Sequence, residues 1–235
     1  MQNLEPKIIY ENENFLAIEK PAGLMVHPAR IAPGKKRPHE KEDRESTLVD
    51  WLLEHRPEVR SIGDDPITRP GIVHRLDKAT SGIMVIPKTQ AYFEYLKKLF
   101  QEHKIKKTYY AVVRGIPKKE NGVIDSPIGI VNGTLKRSIR SKKMRKEALT
   151  EYRVVKAGEF SLLEIHPKTG RTHQIRVHLA SIGHPIAGDP LYGPKKKAGS
   201  TLYTRLMLHA AAIEFPDKDG SIIHLSTEIP FTNDQ

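Results

Sequence analysis

Short β-type runs separated by turn signals recur along nearly the whole chain, and this recurrence limits the fold more than any other feature. Ile8, Ile9 and Tyr10, then Phe15, Leu16 and Ile18, flank the polar Glu11-Asn12-Glu13-Asn14, the pattern of two strands joined by a turn. Ile83 to Ile86 reads as a buried strand ended by Pro87, and Thr108 to Arg114 as a strand closed by Gly115. Further strand-like runs occupy 148–156, 160–166, 211–215 and 222–226. Helical patterning is sparser. Thr47 or Ser46 can cap a short helix carrying Leu48, Trp51 and Leu52, and residues 89–102 place Tyr92, Leu96, Leu99 and Phe100 on one face. Strands outnumber helices, no repeat is evident, and no linker is long enough to demand a second domain. The expectation is one α+β domain over 1–235, built on a mixed, mainly antiparallel β-sheet flanked by helices and loops. Arg30 to Ser46 is charged, contains Pro and Gly and has almost nothing to bury, so it is expected to be an exposed loop.

Composition narrows the partners. The 235 residues are 38% hydrophobic, enough for one substantial core. Lysine and arginine number 39 against 28 acidic residues, and a net charge of +11 draws polyanions by counterion release. Nucleic acid therefore heads the list. The cations cluster at His103-Lys104-Ile105-Lys106-Lys107, along Lys136 to Lys146, where seven Lys or Arg stand with no acid, and at Lys195-Lys196-Lys197. Any one cluster reads equally well as a solvated loop; together they favour an RNA or DNA footprint. Cysteine is absent, which excludes disulfides, thiolate metal sites and cysteine nucleophiles. No apolar run approaches the ~20 residues that span a bilayer, and the start lacks a signal-peptide pattern, so a cytoplasmic protein is expected.

Two segments look chemical. In GIVHRLDKATSG at 71–82, charged and small polar residues interrupt an otherwise apolar strand-loop-strand passage. The cations Arg75 and Lys78 suit Asp77 to work as nucleophile or base, although on this segment alone an aspartate capping a turn with Thr80 and Ser81 is the simpler reading. The other segment is HPKTGRTHQIRVHLASIGHPIAGDPLYG at 166–193. Gly170 ends a strand, and Thr172 can cap a helix that presents Gln174 and His178 on one face and Ile175, Leu179 and Ile182 on another. Arg171 and Arg176 bracket that turn and suit carboxylate or phosphate, or a solvated surface. Gly183, Pro185, Gly188, Pro190 and Gly193 then prescribe a tight path. The histidines lack metal-ligand spacing, His74 and His209 read as structural, and neither GxxxxGK[ST] nor GxGxxG occurs, so no metal or nucleotide cofactor is expected.

Five segments then fall into one pattern: KPAGLMVHP at 20–28, HRLDKATSG at 74–82, KTYYAVVRG at 107–115, the 166–193 segment, and RLMLHA at 205–210. In that order they resemble the RluA-type pseudouridine synthases over nearly the whole chain. The resemblance implies the catalytic fold of that family and a cofactor-free isomerase that converts uridines of structured ribosomal or transfer RNA to pseudouridine. Asp77 matches the family's essential aspartate, Tyr109 its active-site tyrosine, and Arg176 the basic residue that pairs with the aspartate. Arg75 matches a residue that fills the space left by a flipped base. His74, Arg171 and Leu208, inside the matched segments, join Arg75 as candidate substrate-binding residues. Many relatives carry an amino-terminal S4-type RNA-binding domain. Here the pattern begins by residue 8, so substrate binding is expected to rest on the catalytic domain, a monomer with RNA as its partner and no obligate protein partner.

Overall fold

The computed structural model describes residues 4–28, 45–134, 136–194 and 203–231. The bulk of the charged loop at 30–46 and all of Lys195-Lys196-Lys197 lie outside the described residues. The chain divides into two compact units, residues 1–102 and 103–235.

In the first unit, β1 (Lys7–Glu11) and β2 (Phe15–Lys20) form the expected hairpin. Asn12 makes the turn: its side-chain oxygen accepts the amides of Asn14 and Phe15, each at 2.9 Å, which stands in for a backbone turn. β2 also pairs antiparallel with β3 (Ser81–Pro87), whose seven residues are all buried. Two helices cover this sheet's core residues. α1 (Leu48–His55) starts at Thr47 through a reciprocal capping box with Asp50, and it buries Leu48 and Leu52 completely. α2 (Gln90–Gln101) is capped by Thr89, whose hydroxyl accepts the Tyr92 amide. It buries Tyr92, Phe93, Leu96 and Leu99, while Phe100 packs on the ring of His74.

The second unit is a six-stranded antiparallel sheet in the order β11 (Ile222–Ser226), β10 (Leu208–Pro216), β4 (Lys106–Arg114), β9 (Phe160–Pro167), β8 (Leu149–Lys156), β5 (Asn121–Asp125). β9 alternates strictly between buried and half-buried residues, the period-two signature of a strand with one face in the core. A small separate ladder joins β6 (Gly129–Ile130) to β7 (Arg137–Ser138). The single helix described in this unit is α3 (Gln174–Ser181). Every strand ladder within either unit is antiparallel, and parallel pairing is confined to isolated bridges, so the mainly antiparallel α+β expectation holds.

Three short strands escaped the sequence reading: β5, β6 and β7. At two to five residues they carry too little alternation to register as strands. The β6–β7 ladder changes the picture of the basic run. Backbone bonds Ile130 N–H to Lys143 C=O (2.9 Å) and Ile128 N–H to Lys146 C=O (2.9 Å) extend it, so the run is a built hairpin rather than a bare loop. Gly129 is required there, because a Cβ would lie 2.5 Å from the Ser141 carbonyl oxygen.

Candidate active site

Asp77 stands in the turn that leads into β3. The Thr80 amide donates to the Asp77 carbonyl at 3.1 Å, and Leu76 anchors the turn in the core while Arg75 and Lys78 are exposed. The Lys78 main-chain carbonyl fastens this segment to the end of β2. It accepts the Gly23 amide (2.8 Å) and the ammonium of Lys20 (3.2 Å). Lys20 is fully buried and donates also to the carbonyls of Pro21 and Leu24, both at 2.8 Å. Three carbonyls thus meet the three donors of an ammonium. Burial pushes the Lys20 amine down to about 7, and the Asp77 carboxylate opposes that shift. Lys20 was not among the sequence candidates. A signal existed, since strand alternation places it on the same face as Leu16 and Ile18, which are completely buried.

Arg75 is held by a second residue that the sequence reading passed over. His27 Nδ1–H donates to the Pro28 carbonyl (2.9 Å), which leaves Nε2 to accept the Arg75 guanidinium at 2.8 Å. His74 accepts the Val85 amide at Nε2 (2.9 Å), which makes it a neutral imidazole, and its ring lies 4.8 Å from that of Phe100. Those contacts are with the protein's own strand and core.

In the second unit, Tyr109 lies half-buried in the middle of β4, opposite Ile165 on one side and Ala210 on the other. Alternation puts Lys107, Tyr109 and Ala111 on one face and Tyr110 on the other, where its hydroxyl donates to Glu164 at 2.8 Å. Burial pushes the Lys107 amine down to about 8, and its nitrogen reaches the Thr169 carbonyl at 3.4 Å. Leu208, the first residue of β10, pairs with Ala111 and is buried.

Arg176 projects from α3 into the interior, where Nε and Nη2 both donate to Asp189 at 2.8 Å. The two side chains are 4% and 0% exposed, so this is a fully desolvated bidentate pair. Burial pushes the Asp189 carboxyl up, but the guanidinium and the amides of Leu191 and Tyr192 outweigh it and hold the group below its ordinary value. The guanidinium carbon also lies 5.2 Å from the Tyr192 ring centroid, a cation–π distance. Asp189 is aimed by its neighbour Gly188, which has a φ of 71° and sits so close to the Arg205 carbonyl that a Cβ would be 1.8 Å from it. The sequence does not mark Asp189 or Tyr192 as partners of Arg176, since nothing local signals a partner thirteen residues away.

The start of α3 corrects an expectation. Thr172 does not cap it: the N-cap is His173, in the left-handed region at φ 58° and without a side-chain capping bond. Gln174 fixes the entry instead. Its oxygen accepts the Arg171 amide (3.0 Å) and the Thr169 hydroxyl (2.6 Å), while its nitrogen donates to Leu149 and Thr150 of β8 at 3.0 Å. One turn on, His178 Nδ1 meets the Thr150 hydroxyl (2.8 Å) and Nε2 meets the Ser126 carbonyl (2.9 Å), and burial pushes its pKa down. Gln174 and His178 do share a face, and that face docks on β8. Arg171 donates through Nε to the Glu147 carbonyl (2.9 Å) and stays near the surface. The carboxylate in the described contacts of Arg176 is Asp189; Arg171 is no part of that fork.

Comparison with known proteins gives the family. The family described as RNA pseudouridylate synthase matches residues 14–181. An uncharacterized RNA pseudouridine synthase of Aquifex aeolicus is 46% identical over 200 residues, covering 84% of this chain and 59% of that protein. The ribosomal large subunit pseudouridine synthase D of Zymomonas mobilis is 38% identical, covering 97% of this chain and 71% of that protein. Among solved structures, human RNA pseudouridylate synthase domain containing 1 superimposes with a TM-score of 0.73 at 25% identity, over 97% of this chain and 85% of that one. The chain belongs to the RNA pseudouridylate synthase family. Among the described residues, no helix is long and apolar enough to cross a membrane.

Proposed function

We propose that this chain isomerises uridine to pseudouridine in the cytoplasm, in structured RNA, with Asp77 as the catalytic carboxylate, Tyr109 and Arg176 as its partners, and the two units serving as one catalytic domain. The family match over 14–181 carries this reading, because it spans the Asp77 turn, the Tyr109 strand and the Arg176 helix. Uracil must leave C1′ of its ribose, rotate and rejoin through C5, while water is kept from capturing the sugar. The Asp77 carboxylate starts this by attacking C1′ or by taking the C2′ proton, and either route needs one carboxylate rather than the flanking pair of a hydrolase. Arg176, paired with Asp189, is the cation assigned to Asp77. Tyr109 stacks on the uracil and assists loss of the C5 proton. Arg75, with His74, Arg171 and Leu208 as further contacts, offsets the roughly few kcal/mol needed to extrude the base.

Relatives in Zymomonas mobilis and Borreliella burgdorferi are named for the ribosomal large subunit, which supports large-subunit ribosomal RNA as the substrate class here. Lys136, Arg140, Lys142, Lys143, Arg145 and Lys146 are exposed along the β6–β7 hairpin and suit phosphate contacts. The test is to incubate the purified chain with total RNA lacking pseudouridine and map the modified uridines. Discrete pseudouridine sites in large-subunit RNA are expected. Strand cleavage, free uracil, or unmodified RNA would each refute the reading, and modification confined to transfer RNA would refute the substrate class.

A further inference from the structure

Tyr192 touches three things that the proposed reaction uses separately. Its phenolic oxygen accepts the backbone N–H of Arg137, in the basic hairpin, at 2.8 Å. The same hydroxyl bonds Nδ1 of His173, the left-handed residue that opens α3, at 2.9 Å. Burial raises the phenol's pKa, so the hydroxyl keeps its proton. Its ring lies beneath the Arg176 guanidinium and, with Ile139 of the same basic run, packs on the core cluster of Ile128, Ala148 and Val177. Its main-chain amide donates to Asp189 at 3.1 Å. One residue therefore joins the exposed basic hairpin to the helix start and to the buried arginine.

We infer that Tyr192 is a positioning residue that couples engagement of RNA by the 136–146 hairpin to the placement of Arg176. The inference rests on the reading that Arg176 serves the isomerisation and that the hairpin meets RNA. The physical basis is that a hairpin pulled onto a phosphate backbone moves the Arg137 amide, and the Tyr192 hydroxyl transmits that displacement to His173 and to its own ring. His173 stands at the helix start in the left-handed region, a conformation uncommon for a non-glycine residue. Asp189 ties Tyr192 to Arg176: its carboxylate takes the amides of Leu191 and Tyr192 as well as the guanidinium.

A cycle of variants in the full chain tests the coupling. Tyr192→Phe keeps the ring and removes the hydroxyl; Lys143→Glu weakens the hairpin's hold on RNA. Single-turnover rates at saturating RNA and dissociation constants are measured with an unmodified transcript of large-subunit ribosomal RNA. Tyr192→Phe should weaken RNA binding by about 3- to 10-fold, the scale of one buried hydrogen bond. Lys143→Glu should slow the saturated rate in the wild-type background and leave it unaffected in the Tyr192→Phe background, because the link is already cut. Additive effects on that rate would overturn the inference. If the tyrosine were merely structural, Tyr192→Phe would lower the melting temperature with or without Lys143→Glu and would not produce this interaction. Hydrogen exchange supplies a readout that does not need catalysis. RNA should protect the amides of 137–139 and 173–176 in the wild type, and Tyr192→Phe should abolish protection at 173–176 alone. If the wild type makes no pseudouridine, the proposed reaction fails. The exchange pattern then decides the coupling by itself: protection at 173–176 that survives Tyr192→Phe overturns it.

Discussion

The Asp77 turn and the Arg176 helix carry the two opposite charges of the proposed chemistry, and they are built by different means. The Asp77 turn is fastened through main-chain carbonyls, above all that of Lys78, which Lys20 and Gly23 grip from behind, and its charged neighbours Arg75 and Lys78 point to solvent. The Arg176 helix is fastened through side chains: a desolvated bidentate carboxylate, an aromatic ring and the Gln174 and His178 bonds to β8. A turn held by its backbone tolerates a side-chain change better than a buried ion pair does. Removing one member of such a pair leaves the other with an uncompensated charge. The contrast predicts where function and stability separate. Asp77→Asn should be the cleanest break, with no pseudouridine formed, RNA affinity retained and a smaller loss of stability than a break in the Arg176 pair, since it removes only the support that Asp77 lends to buried Lys20. Appreciable product from that variant would remove Asp77 from the chemistry.

Asp189 should behave in the opposite way. Asp189→Ala strands Arg176 in a dry interior and should lower stability by about 3–5 kcal/mol along with activity. Chemical denaturation of the two variants side by side tests the comparison directly. Equal stability losses for Asp77→Asn and Asp189→Ala would mean that the two regions do not differ as described.

Acid should expose the second unit further, since His209 there is also buried. Burial, reinforced by Arg205, pushes its pKa down to about 4 from 6.5. The unfolded chain therefore binds a proton between those values that the folded chain refuses. Stability is complete above pH 6.5 and is lost as the pH falls to 4, with no further loss from this group below that. The integrated loss is on the order of 3 kcal/mol. His209→Gln cannot titrate, so its stability should be flatter than wild type over that interval, whatever its absolute level. Parallel curves for the two proteins would show that His209 is not the acid-sensitive group.

Much of this architecture was legible because its determinants are local. The Glu11–Asn14 turn, the Thr47 cap and the apolar face of α2 each follow from residues within a few positions of one another. The Asp77 segment announced itself by polarity in an apolar setting. What stayed hidden depends on contacts far apart along the chain. Lys20 finds the Lys78 carbonyl 58 residues away. Tyr192 finds Arg137 55 residues away, across a hairpin whose two-residue strands leave no periodicity to read. Thr172 failed as a cap for the same reason: Gln174, by bonding β8, dictates the helix entry from outside the helix, and local capping preference loses to it.

The smallest effect on folding, and the one that best sharpens the contrast, concerns Arg75. Its side chain is exposed and its described partner is the His27 ring, so Arg75→Ala should leave stability within about 0.5 kcal/mol of wild type. If the guanidinium fills the space of an extruded base, the same variant should weaken productive RNA binding on the order of 10-fold, with the loss smaller for a substrate whose target uridine is mismatched or single-stranded and so already half extruded. His27→Ala removes only the group that aims Arg75 and should show a fraction of that loss, again greatest on paired targets. An Arg75→Ala variant that binds paired and unpaired targets with equal deficits would reassign Arg75 from a wedge to an ordinary phosphate contact. The Asp77 turn would then hold its carboxylate without help in extruding the base.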